Sequence, residues 1–381
     1  MERWTIVRLT QFDTAAFLRD TWQQRPLLIR NPWALWQNPL EPDELAGLAC
    51  EDTVESRLVA TGKAGWKAEG GPFEPAHFGK LGKKPWTLLV QAVDHHVPDV
   101  AALIEAFRFV PNWRIDDVMV SYASDRGGVG PHFDQYDVFL IQGLGRRRWQ
   151  IGGTCDHTTP LLPHDDLRLL ADFEPVEEWV LEPGDILYVP PGVAHNGVAL
   201  GDDCMTYSIG FRAPSRGELI AHWCDHVLGG LQDGDRYGDH GLAAQDNPGE
   251  VTADAIARLQ AMIAEKMLDH DSFARWFGEY TTAPKYPDMD WRPEQPFDRA
   301  DLCAGVALSR NPASRFSYVA QGAGVLLFVD GRTWECGADV AGLARQLCAV
   351  ARVVLVEDPS EAAIALLADL IEAGCLAIDE D

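Results

Sequence analysis

Up to residue 212, short apolar runs alternate with Gly- and Pro-rich turns, and this pattern predicts an all-β region with a few helices. Residues 12–22 carry apolar positions at helical spacing, with Asp13 or Thr14 as the candidate cap. The predicted strands occupy residues 25–30, 88–93, 117–123 and 205–211. Many short strands joined by Gly and Pro turns are typical of a sandwich or barrel, and a jelly roll fits this order.

Two further pairs of apolar runs are each separated by a tight turn, so each pair predicts a β-hairpin. The first pair joins residues 137–142 to residues 146–151 through Gly-Leu-Gly. The second joins residues 178–181 to residues 186–189 through Pro-Gly-Asp. We therefore expect two hairpins in the second half of the β-region.

Beyond Pro214 the apolar period changes to that of helices. Residues 216–231 and 250–268 predict two helices, and residues 272–280 predict a third. Four prolines make residues 281–296 a predicted linker. Helical faces this far from the β-region predict a subunit interface, although an ordinary core would show the same pattern.

The rest of the chain predicts a small α+β unit. Its expected strands are residues 307–309, 317–319 and 325–329, and its expected helices are residues 338–349 and 360–373, the latter capped by Ser360. This inventory is similar to a winged helix. The predicted organisation is thus a β-domain over residues 1–212, a helical region over 213–285 and a winged-helix-like domain over 286–381.

Charge narrows the possible partners. The chain has 32 basic and 58 acidic residues, a formal net charge of −26. Sequence-independent binding to DNA or RNA needs a surplus of Lys and Arg, so direct nucleic-acid binding is not expected. A basic polypeptide would be attracted instead.

Other features of the composition predict where the chain works. The eight cysteines form no C-x-x-C pair, which favours reduced thiols. The N-terminus does not resemble a signal peptide, and no stretch approaches the ~18 apolar residues of a membrane span. The expectation is a cytoplasmic protein without a membrane segment.

The strongest chemical signal is the motif His132-Phe133-Asp134, with His195 following a Pro-Pro-Gly turn. Residues i and i+2 of a strand project from the same face, so His132 and Asp134 can reach one point. A third ligand from a neighbouring strand completes two imidazoles and one carboxylate, the facial triad of non-haem Fe(II) oxygenases. A chance H-x-D on a surface strand is the alternative, and His195 in an all-β context argues against it.

A second signal is Arg147 within three consecutive arginines. Strand alternation places Arg147 on the same face as Trp149 and Ile151, the expected barrel interior. A buried guanidinium needs a partner, and the distal carboxylate of 2-oxoglutarate would supply one through a charge-assisted pair. The alternatives are an internal Asp or Glu, or a basic patch for nucleic acid, which the alternation splits between two faces.

The segment from His132 to Trp149, together with residues 25–30, strongly resembles the bacterial ribosomal oxygenases. These are JmjC-type enzymes with a double-stranded β-helix (jelly-roll or cupin) fold that depend on 2-oxoglutarate. The resemblance implies an α+β chain: a JmjC catalytic domain, a helical dimerisation region and a winged-helix-like domain. It also implies an Fe(II)-dependent dioxygenase with 2-oxoglutarate and O2 as co-substrates, acting as a homodimer on a basic ribosomal protein.

Residue by residue, the resemblance makes His132, Asp134 and His195 the iron ligands and catalytic centre. Arg147 then anchors the C5 carboxylate of 2-oxoglutarate, and Ser121 is a weaker candidate for a hydrogen bond to it.

A target arginine would also need carboxylates and an aromatic ring near the iron. Asp117, Tyr136 and Asp137 are the candidate substrate contacts because they lie close to the motif in sequence.

Arginine at position 147 favours the family members that hydroxylate C3 of an arginine in a large-subunit ribosomal protein. A histidyl hydroxylase or a lysyl demethylase of the same chemistry stays open. A non-catalytic acidic cupin dimer that binds a basic protein is the alternative from another class.

Overall fold

The computed structural model describes residues 8–10, 12–62 and 65–379. The strands are β1 (Leu27–Ile29), β2 (Ser56–Gly62), β3 (Gly65–Gly70), β4 (Trp86–Val90), β5 (Ile115–Ala123), β6 (Asp137–Leu144), β7 (Arg147–Thr154), β8 (Glu177–Leu181), β9 (Ile186–Val189), β10 (Val193–Ala199), β11 (Cys204–Phe211), β12 (Ala307–Arg310), β13 (Phe316–Gln321), β14 (Gly324–Val329), β15 (Arg332–Cys336), β16 (Arg352–Val354) and β17 (Leu376–Ile378).

The helices are α1 (Thr14–Asp20), α2 (Pro42–Leu48), α3 (Pro75–Phe78), α4 (Pro98–Ala101), α5 (Arg216–Gly230), α6 (Ala253–Met267), α7 (His270–Thr282), α8 (Ala341–Ala349) and α9 (Glu361–Glu372). Short 3₁₀ turns occupy Val93–His95, Ala102–Phe107, Asn112–Arg114 and Arg299–Asp301. Asp13 caps α1 and Ser360 caps α9, as the sequence predicted.

The N-terminal domain is a jelly roll of two facing antiparallel sheets, which confirms the predicted fold class. The large sheet has the order β1-β9-β6-β11-β5-β4-β2-β3, and the small sheet has the order β10-β7-β8. From β8 to β11, strands that follow one another along the chain therefore alternate between the two sheets, whereas β5 and β6, which flank the H-x-D motif, both belong to the large sheet.

Both predicted hairpins are wrong. Strand β6 pairs with β11 and β9 in the large sheet, whereas β7 pairs with β10 and β8 in the small sheet. Likewise, β8 pairs with β7, and β9 pairs with β1 and β6. The burial of the two strands gives the reason: β6 is buried on both faces, whereas β7 alternates between buried and partly exposed positions. A strand covered on both faces fits the middle of the large sheet, and a strand with one partly exposed face fits the outer, small sheet.

The two faces of the large sheet support different cores. Its outer face packs an aromatic cluster against the N-terminal helices, including Phe17, Phe107 and Phe139. Its inner face meets the small sheet through a separate cluster that includes Leu140 and Trp149. The inner face therefore encloses the space between the sheets, and the residues of β5, β6, β7 and β11 that point there line one interior.

The helical region carries apolar side chains that the chain itself does not cover. Trp223 of α5 is buried against Phe273 and Trp276 of α7, and its indole donates to Met267 O. Helix α6, in contrast, has no buried residue within its described length.

The C-terminal unit contains two three-stranded sheets, β16-β12-β17 and β13-β14-β15, packed with α8 and α9. Strands β15, β16 and β17 were not predicted from the sequence. Helix α7 also packs on this unit, because Gly278 lies directly against the Phe328 ring. In addition, Thr333 Oγ1 donates a hydrogen bond to Glu279 Oε1 at a distance of 2.5 Å. The third helix of the predicted helical region therefore joins the C-terminal core.

The predicted linker is tied to the jelly roll. Helix α7 includes its first two residues, and Lys285 Nζ donates to Asp117 Oδ2 at 2.8 Å. The Tyr286 hydroxyl donates to Glu55 Oε2 at 2.9 Å. These contacts fix the C-terminal unit against the start of β5.

All eight cysteines are free thiols in the structure. Within the described residues, none of the helices is both long and apolar enough to cross a bilayer.

Candidate metal centre

Two chain segments hold the histidines of the site side by side. The peptide groups of His132 and His195 form a bridge, with His132 N donating to His195 O at 3.0 Å and His195 N donating to His132 O at 2.8 Å. Strand β10 carries His195 into the barrel, where it lies opposite Ile151 of β7. Asp134 follows two residues after His132, and its carbonyl oxygen accepts from Gly192 N at 2.7 Å.

The three predicted side chains converge on one point. Asp134 Oδ2 lies 3.7 Å from His132 Nε2 and 3.6 Å from His195 Nε2. For metal–ligand bonds of about 2.1 Å, two ligand atoms of one ion lie at most about 4.2 Å apart. His132, Asp134 and His195 therefore fit a single ion, and two imidazoles with one carboxylate are the donor set of non-haem Fe(II) oxygenases.

Hydrogen bonds fix which ring nitrogen faces the centre. His132 Nδ1 donates to Gly130 O at 2.8 Å, and His195 Nδ1 donates to Val193 O at 2.9 Å. Each Nε2 thus keeps its lone pair for a metal. Burial and the neighbouring His132 lower the pKa of His195 to about 4, so its imidazole is neutral at pH 7.

Gly130 allows the chain just before His132 to pack closely against its neighbours. Gly130 has φ +86°, and a Cβ at this position would lie 2.9 Å from both the Leu169 side chain and the Trp66 ring. Leu170 N also donates to Pro131 O at 2.9 Å. The loop between β7 and β8 and the edge strand β3 thereby form one wall beside the motif.

Arg147 lies inside the barrel, as strand alternation predicted. Its side chain is buried with those of Trp149 and Ile151, while Arg146 is exposed and Arg148 is partly exposed. The alternation thus separates buried Arg147 from the more exposed Arg146 and Arg148, as predicted.

The guanidinium of Arg147 lacks a carboxylate partner among the described residues. Its Nε donates to Cys204 Sγ at 3.4 Å, its Cζ lies 5.7 Å from the centroid of Trp149, and its buried Nη2 has no hydrogen-bond partner. The alternative of an internal Asp or Glu partner is therefore not found in the described chain. A buried, unsatisfied cationic donor is costly, and an anion placed beside it would relieve that cost.

The strand register sets the distance between Arg147 and the histidines. On β10 and β7, His195 lies opposite Ile151 and Ala199 lies opposite Arg147. Four residues along a strand span about 13 Å between Cα atoms. Since the side chains of His195 and Arg147 both enter the interior, the remaining gap suits a short dicarboxylate.

Ser121 also belongs to this interior. It is buried on β5 and lies opposite Thr206 of β11 and Leu89 of β4. Asp117 and Met119 share its face of the strand, because side chains alternate. The structure thus places Ser121 on the inner surface of the large sheet, on the same side as the Arg147 guanidinium.

The three candidate substrate contacts have different surroundings. Tyr136 is 43% exposed, close behind the metal motif. Asp117 is buried, accepting from Lys285 Nζ and from Ala92 N.

Asp137 is completely buried and accepts from Arg114, Tyr188 and Gln23 at 2.6–2.8 Å. The assignment of Asp137 as a substrate contact is therefore wrong: its oxygens are occupied on the outer face of the large sheet. The two hydrogen bonds to Asp117 both reach Oδ2, so the structure holds one oxygen of this carboxylate within the protein, and Asp117 stays a predicted substrate contact.

Sequence reasoning placed Trp149 on the interior face but missed two other residues that shape the site, Gly197 and Lys285. Trp149 stands between the histidine cluster and Arg147, with its ring 5.9 Å from that of His195. Gly197 makes room for it, since a Cβ there would lie 2.7 Å from the indole. Lys285 neutralises the acids at the start of β5, and the adjacent pair Asp116-Asp117 was the only sequence signal for such a cation.

Family comparisons agree with this architecture. The JmjC domain family matches residues 102–219, and the ROXA-like winged helix family matches residues 262–377. The second match begins near the end of α6, in agreement with the packing of α7 on the C-terminal sheet.

Individual proteins are similar over most of the chain. The ribosomal protein uL16 3-hydroxylase of Escherichia coli is 43% identical over 280 residues, 74% of each chain. A probable ribosomal oxygenase of Haemophilus influenzae is 38% identical over 273 residues, 68% of this chain and 66% of the relative.

Among solved structures, E. coli YcfD has a TM-score of 0.88 at 35% identity, covering 98% of this chain and 100% of that one. A second YcfD structure, described as a ribosomal oxygenase in complex with cobalt and 2-oxoglutarate, has a TM-score of 0.85 at 35% identity with the same coverage. By sequence, by fold and by its His-Asp-His cluster, this chain belongs to the bacterial ribosomal oxygenases, a family of JmjC-domain enzymes.

Proposed function

We propose that this chain is an Fe(II)- and 2-oxoglutarate-dependent hydroxylase that modifies C3 of an arginine in ribosomal protein uL16. His132, Asp134 and His195 hold the iron, and Arg147 holds the distal carboxylate of 2-oxoglutarate. Iron and 2-oxoglutarate bound there would supply the activation of O2, and the protein would bind and orient the substrates and exclude water.

The observation that carries the co-substrate assignment is the unsatisfied Nη2 of Arg147. A guanidinium presents a rigid fork that matches a carboxylate, and a charge-assisted hydrogen bond contributes about 1.5–3 kcal/mol. Arg147 Nε donates to Cys204 and its Cζ lies beside Trp149, while the buried Nη2 is left free to bind an anion. Ser121 is the proposed second contact for the same carboxylate.

The choice of substrate follows the similar proteins and the charge of the chain. One relative carries the name uL16 3-hydroxylase, and the formal net charge of −26 favours a basic ribosomal protein over nucleic acid. Of the candidate substrate contacts, Tyr136 is the one with an exposed ring, which lies near the motif and can stack on a guanidinium, and Asp117 stays a second candidate. A uL16 substrate also places the reaction in the cytoplasm.

The proposed assembly is a homodimer built on α5 and α6. Exposed apolar side chains follow α6 at helical spacing, with Ile256 45% exposed, Leu259 42% and Ile263 64%. Leu228 of α5 and Leu268 after α6 are 64% and 80% exposed. Exposed apolar stripes of this kind are typical of subunit interfaces.

The function is tested by incubating the purified chain with Fe(II), 2-oxoglutarate, O2 and uL16, followed by intact and tandem mass spectrometry. The expected product is uL16 with about +16 Da on one arginine, formed together with succinate. A His132→Ala variant serves as the catalytic control, and a His157→Ala variant, which changes an exposed loop histidine, should retain activity.

Other outcomes select among the alternatives. A gain of about 16 Da on histidine would make the chain a histidyl hydroxylase, and a loss of about 14 Da on lysine would make it a demethylase. If uL16 binds but neither succinate nor any mass change appears, the chain is a non-catalytic binding protein and the proposed function fails.

A further inference from the structure

A cavity of about 680 Å³ lies between the jelly roll and the C-terminal unit, away from the His-Asp-His cluster. One wall comes from the segment between α4 and the start of β5, and the other from β12, the start of β13 and the end of α8. Cavities that hold small molecules have volumes of about 300–1,000 Å³. The size of this one therefore suits a small ligand.

The lining of the cavity is cationic in a protein that is otherwise strongly acidic. Its charged and titratable members are Arg8, Asp94, His95, Glu105, Arg108, Asp116, Arg310, Arg315 and Arg352. Arg352 is paired with Asp379, which lies outside the lining. Two of the acids are already used, since Glu105 pairs with Arg108 and Asp116 pairs with Arg315, Arg212 and Lys285. The third, Asp94, is buried near Asp117, and both effects raise its pKa to about 8, so it is neutral at pH 7.

Arg310 carries the uncompensated charge. Its Nη1 donates to Leu347 O at 3.3 Å and its Cζ lies 5.3 Å from the Phe316 ring, but none of the described carboxylates lies within ion-pair distance. Burial and the nearby Arg108 lower the pKa of Arg310 to about 9. Arg108 and Arg310 face the cavity from opposite walls, so they repel each other where an anion would bind both.

Neighbouring polar atoms are also unsatisfied. Arg315 Nη2 donates to the backbone and side chain of Asp116, but its buried Nη1 has no hydrogen-bond partner. The buried Ser309 Oγ lacks a partner as well. Beside them, Pro98, Ile104 and other apolar residues complete the lining. Unpartnered hydrogen-bond donors next to an apolar surface are suited to bind an oxyanion that is attached to an apolar group.

We infer that this interdomain cavity binds a small organic anion, with Arg310 and Arg108 holding a phosphate or carboxylate head group and the apolar wall holding its body. Because the two arginines belong to different domains, the ligand bridges the jelly roll and the C-terminal unit. This site is separate from the metal centre and does not depend on the proposed function.

Four probes separate the two parts of the ligand. Phenyl phosphate and benzoate share an apolar ring but differ in head group, inorganic phosphate lacks the ring, and benzyl alcohol lacks the charge. Isothermal titration of the full chain at physiological ionic strength should show saturable binding of at least one aryl anion, weaker binding of inorganic phosphate and no binding of benzyl alcohol. The preferred head group identifies phosphate or carboxylate as the source.

Variants locate the binding. Arg310→Met should lower the affinity for the aryl anion about tenfold or more, since it removes a charge-assisted hydrogen bond. Arg310→Lys should recover part of this lost affinity. Arg275→Met, which changes an exposed arginine of α7 outside the cavity, should bind as the wild type does. Binding should persist in Arg147→Met, which excludes the barrel interior.

Hydrogen exchange gives a second readout in the wild-type chain: the ligand should protect residues 98–114 and 309–316. At a hundredfold excess over Kd it should also raise Tm by about 3 °C. The inference is overturned if neither aryl anion binds saturably, or if Arg310→Met binds it as tightly as the wild type. Protection confined to the barrel would overturn it too.

Discussion

At the scale of single residues, the orientation of Arg147 decides whether the barrel interior can hold a dicarboxylate. We expect Arg147→Met to raise the KM for 2-oxoglutarate about 10- to 100-fold, because the charge-assisted pair contributes about 1.5–3 kcal/mol. Metal binding should persist, since Arg147 is not part of the His-Asp-His cluster. Succinate formation measured against 2-oxoglutarate concentration gives the KM, and calorimetry with Mn(II) gives metal affinity.

Two further variants serve as the contrast and the control for the Arg147→Met prediction. His195→Ala should show the opposite pattern, with Mn(II) affinity lowered more than about 100-fold, since even partners outside the ligand shell change affinity 10- to 100-fold. Arg146→Met changes an exposed neighbour and should leave both constants unaltered. An Arg147→Met enzyme with an unchanged KM would remove Arg147 from the co-substrate site.

Asp94 gives a residue-scale prediction for pH. Its Oδ1 accepts from Val118 N at 2.8 Å, while burial and Asp117 raise its pKa to about 8 against an ordinary value of 3.8. Between about pH 4 and 8 the folded chain therefore holds one more proton than the unfolded chain, so this residue makes stability fall as pH rises. The slope is at most about 1.4 kcal/mol per pH unit, and it ends above the folded pKa.

We expect Asp94→Asn to remove this part of the pH dependence while keeping an acceptor for Val118 N. Urea unfolding at pH 5.5 and pH 8 should show a smaller loss of stability in the variant than in the wild type. Asp99→Asn changes an exposed carboxyl on the same segment and should follow the wild type. Equal losses in Asp94→Asn and the wild type would contradict the raised pKa.

Strand alternation explains which site residues could be predicted. The alternation correctly placed Arg147, because β7 has one buried and one partly exposed face. It could not reveal that Asp137 is occupied by Arg114, or that Asp117 is occupied by Lys285, 168 positions away. Partners so distant in sequence depend on tertiary packing, which local patterns do not contain.

At the scale of elements, the contact between α7 and β14 ties the helical region to the C-terminal core. A Cβ at Gly278 would lie 2.4 Å from the Phe328 ring, which is itself completely buried. Gly278→Ala should therefore destabilise the C-terminal unit by about 1–3 kcal/mol, the usual cost of overpacking, despite the better helix propensity of alanine. Thermal unfolding followed by tryptophan fluorescence measures the change.

Gly342→Ala is the matched control for this helix substitution. Gly342 lies in α8 and is exposed, and a Cβ added there would meet no atom of the described chain within 4 Å. Alanine there should be neutral or stabilise the chain by up to about 1 kcal/mol. A stabilising Gly278→Ala would mean that Phe328 moves aside at little cost and that α7 is not closely packed.

Whether a segment is a helix or a strand was easier to predict than which strands pair with each other. Helical periods located α5, α6 and α7, and the family resemblance and fold class are confirmed. The strand expected at the H-x-D motif was wrong, since His132 forms only an isolated bridge and Asp134 lies outside the strands, and β10, which carries His195, was not predicted. Pairing failed for β6 with β7 and for β8 with β9, because a short turn looks the same whether the chain reverses within one sheet or crosses between two. Strands β16 and β17 have only three residues each, too few for a period to be read, whereas the five residues of β15 were missed although they are long enough.

At the scale of the whole molecule, the uncovered side of α6 supports the homodimer. Ile256, Leu259 and Ile263 lie at spacings of three and four residues, so they share one face of a helix that has no buried residue of its own. Burying such a stripe on a second copy removes it from water, whereas in a lone chain it stays solvated at a cost proportional to its area. The proposed interface would thus depend on a few apolar side chains.

Ile263→Asp should therefore convert the dimer into a monomer, because a carboxylate in the centre of the stripe would be buried without a partner. Light scattering after size-exclusion chromatography should give twice 42.1 kDa for the wild type and 42.1 kDa for the variant. Ala261→Asp adds the same charge on the opposite face of α6 and should remain dimeric.

A wild-type mass of 42.1 kDa at micromolar concentration, or an Ile263→Asp variant that stays dimeric, would place the interface elsewhere or remove it. Because α6 lies far along the chain from the metal motif, the monomer should keep its affinity for Mn(II), which separates assembly from the chemistry of the barrel.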